Sequence, residues 1–317
     1  MSDALPPEFR LIARHFRPLA GPGSLDLADD AAVFAPPRGR ELVVAADAMV
    51  AGVHFLPDDP ADLIARKLLR TNLSDLAAMS AEPFGYLMTV SAPRGIPDAW
   101  FAAFAAGLAQ DQREFGLALL GGDTTSTPGP VSLSLTILGS VEPGRAVRRE
   151  GARAGDGLWV TGTIGDGALG LLAARGELAD PDGFLADRYR LPRPRLALRL
   201  AGLASAALDV SDGLVQDVGH LCRAGGVAAE IEATLVPLSA AARGVERLAL
   251  CLTGGDDYEL AFALPPEREA ALKLAAATAD IRVTRIGSFR PGDPRVTVRA
   301  ADGTTMPLSV GGWSHFA

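Results

Sequence analysis

Short apolar runs that end at an aspartate recur along the chain and constrain its fold more than any other feature. Three of them are residues 41–46 before Asp47, residues 117–120 before Gly121-Gly122-Asp123, and residues 207–210 before Ser211-Asp212-Gly213. Runs of this kind are typical of strands. Helical patterns at 60–70, 97–115 and 214–224 separate them, with Pro60 and Pro97 near two of the helix starts. The alternation predicts an α/β or α+β fold.

The length of 317 residues favours two domains. The segment Glu142-Pro143-Gly144 and the basic stretch that follows it are typical of a domain junction. We therefore expect an N-terminal domain at 1–145 and a C-terminal α/β domain at 146–317. Further patterns predict helices at 5–17, 166–176, 195–207, 238–247 and 265–279, and strands at 86–90, 131–138, 158–161, 227–233 and 258–264, with two more strands before Trp313.

A Gly-Gly-Asp triplet follows an apolar run in each half of the chain. Gly121-Gly122-Asp123 follows residues 117–120, and Gly254-Gly255-Asp256 follows residues 250–253. Glycine allows a tight turn and lets backbone N–H groups approach a phosphate closely. The repeat predicts that both halves use the same device, a turn that presents an acid.

The charge balance and the cysteines exclude several classes of protein. A net charge of −8 argues against binding to nucleic acid or to an anionic membrane surface. The cysteines are Cys222 and Cys251, and both lie in apolar contexts without metal-ligand spacing. The chain also shows neither an apolar signal core nor a run long enough to span a membrane. We expect a soluble protein of the reducing cytoplasm.

Seven aspartates have the positions expected of metal ligands. They lie at strand ends, turns or helix starts: Asp29, Asp30, Asp47, Asp75, Asp123, Asp209 and Asp212. Carboxylates brought together without cations would repel one another, and an oxygen-rich ligand set favours Mg²⁺ over zinc. The alternative for any single aspartate is a cap or a turn, which this residue makes well. Taken together, the set predicts a magnesium site.

Of two common nucleotide-binding patterns, the dinucleotide fingerprint is matched in this sequence and the phosphate loop is absent. Gly165-Asp166-Gly167-Ala168-Leu169-Gly170 has the spacing of a dinucleotide fingerprint and lies between a predicted strand and a predicted helix. Asp166, however, would lie beside the pyrophosphate of a bound dinucleotide. The phosphate loop that ends in Gly-Lys-Ser/Thr is absent. If ATP is used, magnesium and arginine must neutralise its charge.

Nearly the whole chain resembles the thiamine-monophosphate kinases of the aminoimidazole-ribonucleotide synthetase superfamily. The segments that carry this resemblance are residues 9–13, 29–33, 47–55, 72–79, 121–125, 160–163, 209–214, 254–260 and 312–316. His54-Phe55 and the closing His315-Phe316 are specific to the kinase branch. The implied fold is two-domain and aminoimidazole-ribonucleotide synthetase-like. In it, N-terminal domains that bind ATP and Mg²⁺ pair in a homodimer.

The resemblance also implies roles for individual residues. It implies catalytic roles for Asp75, Asp123 and Asp212, and several Mg²⁺ ions held by Asp30, Asp47, Asp75, Asp123, Asp209 and Asp212. ATP would contact Gly122, Asp123, Arg149 and Ser211. Thiamine monophosphate would contact His54, Asp256 and Trp313. Trp313 has the alternative of a core anchor for the C-terminus, and His54 that of a turn residue that satisfies a backbone carbonyl.

Three positions depart from the pattern of that family. Ala28 replaces a glycine, Ala45-Ala46 replaces a Ser-Thr pair whose hydroxyls bind metal in relatives, and Asp256 replaces a glutamate. Alternative functions are another ATP-using enzyme of the superfamily, a non-catalytic nucleotide- or metal-binding regulator, and a magnesium-dependent phosphatase. Selenophosphate synthesis is disfavoured, because no cysteine precedes Cys222.

Overall fold

The structure is a computed structural model that describes residues 6–244 and 247–315. The chain divides into two compact units. The first unit comprises Met1–Leu76 and Glu82–Pro143, and the second comprises Ala77–Ala81 and Gly144–Ala317. Within the described residues, no helix is both long enough and apolar enough to cross a bilayer.

The first unit is built around a four-stranded sheet. Its elements are α1 (Pro7–Leu11), β1 (Glu41–Val50), α2 (Ala61–Ala78, whose last two residues belong to the second unit), β2 (Glu82–Pro93), α3 (Asp98–Phe115), β3 (Leu119–Thr127) and β4 (Ser132–Val141). The strand order is β1-β4-β2-β3. β4 pairs antiparallel with both of its neighbours, whereas β2 and β3 are parallel. A π-helical turn, Ile12–Phe16, continues α1.

The two faces of this sheet differ in burial. The face that contains Gly139 is covered by α2, since a Cβ placed on Gly139 would lie 2.9 Å from the Leu76 side chain. On the opposite face the register places Val44 beside Leu138 and Leu87 beside Thr136. Val44 is 59% exposed and Leu87 is 41% exposed on that face. The sheet therefore has one buried face and one apolar face that is open in this chain.

The second unit contains a six-stranded sheet and several helices. Its elements are β5 (Gly157–Thr161), α4 (Asp166–Ala174), α5 (Phe184–Arg190), β6 (Ala206–Asp209), α6 (Leu214–Gly225), β7 (Ala228–Glu232), α7 (Leu248–Thr253), β8 (Leu260–Leu264), α8 (Glu269–Thr278), β9 (Val283–Arg290) and β10 (Val296–Arg299). The strand order is β10-β7-β9-β5-β8-β6. Only the β10–β7 pair is parallel among these described strands.

Most of the predicted elements are present, but the common Gly-Gly-Asp device is not. Gly121-Gly122-Asp123 lies inside β3, and the preceding apolar run is only partly strand. Residues 250–253 form the end of helix α7, not a strand, and only Gly254-Gly255 leaves a regular element there. Gly122 is needed for close strand approach, because a Cβ on it would lie 1.8 Å from the Met88 carbonyl oxygen of β2. The predicted similarity of the two halves is therefore wrong.

Two predicted helices are also wrong. Residues 195–207 form turns and the start of β6, and the N–H groups of Leu200 and Ala201 donate to the Ser80 hydroxyl. That hydroxyl replaces the carbonyls a helix would supply. The helix predicted near 238–247 is absent over its described part, which forms turns before α7. Its residues 245 and 246 lie outside the described residues, as does Phe316.

Candidate active site

A pocket of about 490 Å³ in the first unit brings two of the predicted site aspartates together. Asp30 lines it from the loop before β1, and Asp123 lines it from β3. Gly121 and Gly122 complete the β3 wall, while Ile12 and Phe16 of the π-helical turn contribute apolar surface. An apolar cavity with a few convergent polar groups is the usual form of a small-molecule site.

The backbone around this pocket explains why its acids are accessible. Asp29 Oδ1 accepts the N–H of Asp30 at 2.9 Å, and Asp123 Oδ1 accepts the N–H of Thr124 at 2.9 Å. The carboxylates of Asp29 and Asp123 therefore each accept one backbone N–H from the next residue. All three acids remain exposed to water. Their remaining oxygen lone pairs can accept a ligand without a large desolvation cost.

Asp47 lies away from this pocket in the first unit. Asp47 pairs with Leu135, and Leu135 pairs with Met88, which pairs in turn with Gly122. Asp47 therefore faces the α2-covered side of the sheet, whereas Asp123 is one position further along its strand and faces the open side. β1 and β3 are also the two edge strands, separated by about 14 Å at the usual strand spacing.

Asp75 lies on α2 in a region with unusual buried polar groups. Its neighbours Asn72 and Ser74 are fully buried, and Asn72 Oδ1 and Ser74 Oγ have no hydrogen-bond partner within the described structure. Asp75 itself is partly exposed. Buried polar atoms without partners are costly and mark places where further ligands or water bind.

The turn after β1 fixes the orientation of His54. The ring Nδ1 of His54 accepts the N–H of Val50 at 3.0 Å, so the neutral ring carries its proton on Nε2. Lys67, which is only 2% exposed, donates from Nζ to the carbonyl oxygen of His54 at 3.0 Å. Gly52 permits the turn through a positive φ of 83°. The ring Nδ1 thus pairs with a backbone N–H, and this contact orients the imidazole.

The donor groups in the first unit suit a hard cation, although they do not form a complete site. Within the described residues, no group of three His, Cys, Asp or Glu side chains is close enough to hold a metal ion. Mg²⁺ commonly uses only one or two protein carboxylates, with water and substrate phosphates as its other ligands. The exposed oxygens of Asp30 and Asp123 on one pocket fit that mode of binding.

In the second unit, the turn between β6 and α6 presents Ser211 and Asp212. The Oδ2 atom of Asp217, on the first turns of α6, accepts the N–H groups of Ser211, Asp212 and Gly213 at 3.1, 3.0 and 3.1 Å. Burial, together with the nearby carboxylates of Asp209 and Asp212, raises the pKa of Asp217 to about 8. The turn therefore presents side chains to a ligand, because its own N–H groups are already occupied.

The electrostatic surroundings of His220 place Arg149 near the C-terminal half of α6. His220 lies on α6, and burial lowers its pKa, as do the positive charges of Arg223 and Arg149. The negative charge of Asp212 acts in the opposite direction. Arg149 is exposed and begins a short 3₁₀ helix. Its guanidinium is available to an anionic ligand at this end of α6.

Asp256 and Trp313 attach to the same turn through their backbones. The N–H of Asp256 donates to the Ser211 carbonyl oxygen, and the N–H of Trp313 donates to the Asp212 carbonyl oxygen, both at 2.8 Å. Gln216 holds the carbonyl oxygen of Trp313 at 2.8 Å. Trp313 is 54% exposed, so its indole is not a core anchor. The second unit thus gathers Asp209, Ser211, Asp212, Asp256 and Trp313 around one turn.

The backbone N–H groups of Gly165 and Gly167, in the dinucleotide-like pattern of the second unit, already donate to a side chain of the protein. They do follow a strand, β5, and open a helix, α4. The carboxylate of Asp257, which is 1% exposed, accepts the N–H groups of Gly165 and Gly167. Burial raises the pKa of Asp257 to about 8, while these N–H groups act to lower it. A pyrophosphate therefore has no free N–H groups to bind at these two glycines.

Sequence reasoning missed the structural roles of two buried acids, Asp217 and Asp257. The signal for Asp217 was its position on the first turns of a helix, just after a Ser-Asp-Gly turn, from which a carboxylate can reach back to the turn. Asp257 gave no comparable signal, because the N–H groups it accepts are about ninety residues away along the chain.

Family comparisons cover both units. The family model for the AIR synthase related protein, N-terminal domain, matches residues 28–141. The model for the AIR synthase related protein, C-terminal domain, matches residues 153–299. The thiamine-monophosphate kinase of Caulobacter vibrioides is 48% identical over 98% of this chain and 92% of its own length.

Solved structures show the same similarity. The thiamine-monophosphate kinase of Stenotrophomonas maltophilia K279a superposes with a TM-score of 0.80 at 40% identity, covering 88% of this chain and 91% of the other. The structure of AaThiL complexed with AMPPCP and TMP has a TM-score of 0.77 at 29% identity, covering 91% of each chain.

Proposed function

Because this chain belongs to the thiamine-monophosphate kinase family, we propose that it transfers the γ-phosphoryl group of ATP to thiamine monophosphate. The products are thiamine diphosphate and ADP. The observation that carries this proposal is the 48% identity with the thiamine-monophosphate kinase of Caulobacter vibrioides over nearly the whole chain. The ATP analogue in the complex of a structural relative supports ATP as the phosphoryl donor.

The proposed roles follow the resemblance, and the local geometry supports several of them. The metal ligands are Asp30, Asp47, Asp75, Asp123, Asp209 and Asp212, of which Asp75, Asp123 and Asp212 are catalytic. ATP contacts Gly122, Asp123, Arg149 and Ser211. Support for these roles comes from the exposed oxygens of Asp30 and Asp123 on one pocket, and from the Ser211 side chain on a turn whose N–H groups are occupied.

The reaction needs no general base. A phosphate oxygen of thiamine monophosphate is ionised near neutral pH, because the second pKa of a phosphate monoester is about 6. In an in-line transfer this oxygen forms the new bond to the γ-phosphorus as the bond to the β–γ bridging oxygen breaks, and ADP leaves with that electron pair. Bound Mg²⁺ supplies positive charge between the two phosphate groups. Arg149 adds a fixed positive charge that orients the anions.

The acceptor is held by His54, Asp256 and Trp313. The exposed indole of Trp313, whose ring meets that of His315 edge-on, offers a surface on which the thiazolium cation can stack, an interaction of about 0.5–2 kcal/mol. His54 carries its proton on Nε2, which makes that nitrogen a donor to a phosphate oxygen. Asp256 reaches one methylene less far than the family's glutamate, so the substrate binds closer to this loop.

The protein acts as a homodimer in this proposal. The N-terminal domain, residues 1–145, binds ATP and Mg²⁺ and pairs with a second copy, and residues 146–317 form the C-terminal domain. The open apolar face of the first sheet, which includes Val44 and Leu87, supports a pairing surface on the first unit.

The direct test is product analysis with the purified chain. Incubation with ATP, thiamine monophosphate and Mg²⁺ is expected to give thiamine diphosphate and ADP in equal amounts, resolved by liquid chromatography. Chelation of the metal with EDTA is expected to stop the reaction, and added Mg²⁺ to restore it. Phosphate release without the acceptor would indicate a phosphatase instead. ATP binding without turnover would indicate a regulator.

A further inference from the structure

Two adjacent acids in the loop between α7 and β8 have opposite surroundings. Asp256 is partly exposed, whereas Asp257 is 1% exposed. The Oδ1 of Asp257 accepts the N–H groups of Gly165 and Gly167, both at 3.0 Å, and its Oδ2 lies 2.8 Å from the Gly165 nitrogen. The buried acid therefore ties the loop to the N-terminus of α4, and Asp256 lies on the partly exposed side of the same loop.

The backbone on both sides of Asp257 is held in an unfavourable conformation. Asp256 has φ of 65° and Tyr258 has φ of 51°, values in the left-handed region that L-residues avoid. The N–H of Asp256 donates to the carbonyl oxygen of Ser211, and the N–H of Tyr258 donates to the carbonyl oxygen of Val210. Both distances are 2.8 Å. Such strain persists only where surrounding contacts enforce it, and it is common at ligand-binding loops.

The space around Asp256 is closed on two sides. A Cβ on Gly167 would lie 2.1 Å from the Asp256 carbonyl oxygen, and a Cβ on Gly255 would lie 2.3 Å from the Ser211 carbonyl oxygen. The loop thus lies between the first turn of α4 and the turn that presents Ser211. It has no room to shift toward either element.

We propose that Asp257 is a positioning residue for the acceptor substrate, because its carboxylate fixes the strained loop that directs the Asp256 side chain. This inference rests on the proposed function, in which Asp256 contacts thiamine monophosphate. Asp257 contacts no reacting atom. Loss of its contacts lets the loop relax toward ordinary backbone angles, which turns the Asp256 side chain away from the acceptor.

Two independent substitutions test this role. Assayed above pH 8, where the Asp257 carboxyl is ionised, Asp257→Asn keeps the shape of the side chain but replaces one acceptor oxygen with an N–H₂ group facing donors. Gly167→Ala leaves Asp257 intact and displaces the Asp256 carbonyl from the other side. Each variant is expected to raise KM for thiamine monophosphate by about tenfold or more, with KM for ATP changed by less than about twofold.

Two matched controls separate positioning from general damage. A Cβ on Gly170, in the same helix α4, would lie 2.1 Å from the Leu185 carbonyl oxygen, so Gly170→Ala is an equal steric insult directed away from the loop. Asp156 is also buried and accepts the Arg153 N–H at 3.0 Å, so Asp156→Asn removes a comparable carboxylate. Both controls are expected to keep the wild-type KM for thiamine monophosphate.

The outcomes are distinguishable. A wild-type chain that makes no thiamine diphosphate would refute the proposed function, and this inference with it. An active wild type with unchanged KM for thiamine monophosphate in both loop variants would overturn the positioning role alone. The positioning role is also overturned if the loop variants raise KM for ATP as much as KM for thiamine monophosphate. It is likewise overturned if Gly170→Ala raises KM for thiamine monophosphate as much as the loop variants do. Should Asp257→Asn fail to fold, Gly167→Ala still decides the question.

Discussion

At the scale of single residues, exposure divides the aspartates into two groups. Asp30 and Asp123 are exposed and keep oxygen lone pairs for a ligand. Asp217 and Asp257 are buried and accept backbone N–H groups at the start of α6 and α4. The same carboxylate therefore either presents charge or holds a turn, depending on how many backbone donors surround it.

Asp123 is expected to be essential for phosphotransfer and dispensable for folding. Asp123→Asn removes negative charge from the pocket while keeping the side chain's size, so turnover should fall by about 10²–10³-fold or more. Asp75→Asn is expected to behave likewise. The measurements are the rate of thiamine diphosphate formation and the thermal unfolding midpoint. Asp182→Asn, in an exposed loop, is the control. Full turnover by either variant would remove that residue from the proposed site.

The raised pKa of Asp257 predicts a pH-dependent stability. In the folded chain this pKa is about 8, whereas an unfolded aspartate has a pKa of about 3.9. Between these values the folded state holds a proton that the unfolded state releases. The associated stabilisation is therefore complete below about pH 4 and is lost as the pH rises toward 8, by at most about 1.4 kcal/mol per pH unit.

Asp257→Asn removes this titration, so the comparison with wild type isolates it. The free energy of unfolding of the variant, minus that of wild type, is expected to rise between pH 5 and pH 8. Urea titrations at several pH values measure both quantities. A difference that stays constant with pH would show that Asp257 does not bind a proton on folding over this range.

At the scale of elements, the sequence predicted most strands correctly, and its failures have physical causes. Alternating and apolar runs identified β1 and β4, because one face of each strand packs against helices. The same reasoning misread Gly121-Gly122-Asp123 as a turn. A glycine pair favours turns locally, and nothing in the local pattern reveals that β2 approaches β3 too closely for a side chain at Gly122.

The two glycines of β3 are expected to respond differently to alanine. Gly122→Ala places a Cβ 1.8 Å from the Met88 carbonyl oxygen, whereas Gly121→Ala meets only the flexible end of Leu87 at 3.3 Å. Gly122→Ala should lower the free energy of unfolding by about 1–3 kcal/mol, and Gly121→Ala by less than about 1 kcal/mol.

Because Gly122 lines the pocket, its substitution is also expected to weaken nucleotide binding. Urea unfolding measures the stability of both variants, and calorimetric titration with a non-hydrolysable ATP analogue measures affinity. Affinities of both variants equal to that of wild type would indicate that the nucleotide does not contact this part of β3.

At the scale of the whole molecule, the geometry of the candidate site could not be predicted from the sequence. The excess of acids at strand ends predicted a magnesium-type ligand set, and the structure brings Asp30 and Asp123 to one pocket. It places Asp47 on the other face of the sheet and on the opposite edge strand. A one-residue change of position reverses the face of a side chain, and strand order is set by distant pairings. Neither can be determined from the spacing of residues along the chain.

The open face of the first sheet predicts the oligomeric state. Leu42, Val44 and Leu87 are 46%, 59% and 41% exposed, and the strand register places them on one face. Contiguous exposed apolar side chains of this kind mark association surfaces. In the proposed homodimer a charge at Val44 would be buried without a partner, which costs several kcal/mol. Val44→Glu is therefore expected to give a monomer in analytical ultracentrifugation, and wild type is expected to sediment as a dimer.

Leu274→Glu provides the matched control for Val44→Glu. Leu274 is an apolar side chain on α8 of the second unit and is 71% exposed, so the substitution adds the same charge at an equally open site away from the first sheet. It should leave the dimer intact. Because Val44 is more than half exposed within the chain, Val44→Glu should also leave the monomer folded, as circular dichroism can verify. A dimer that survives Val44→Glu would show that the pairing surface lies elsewhere, since an unpaired carboxylate cannot remain at the centre of an apolar interface.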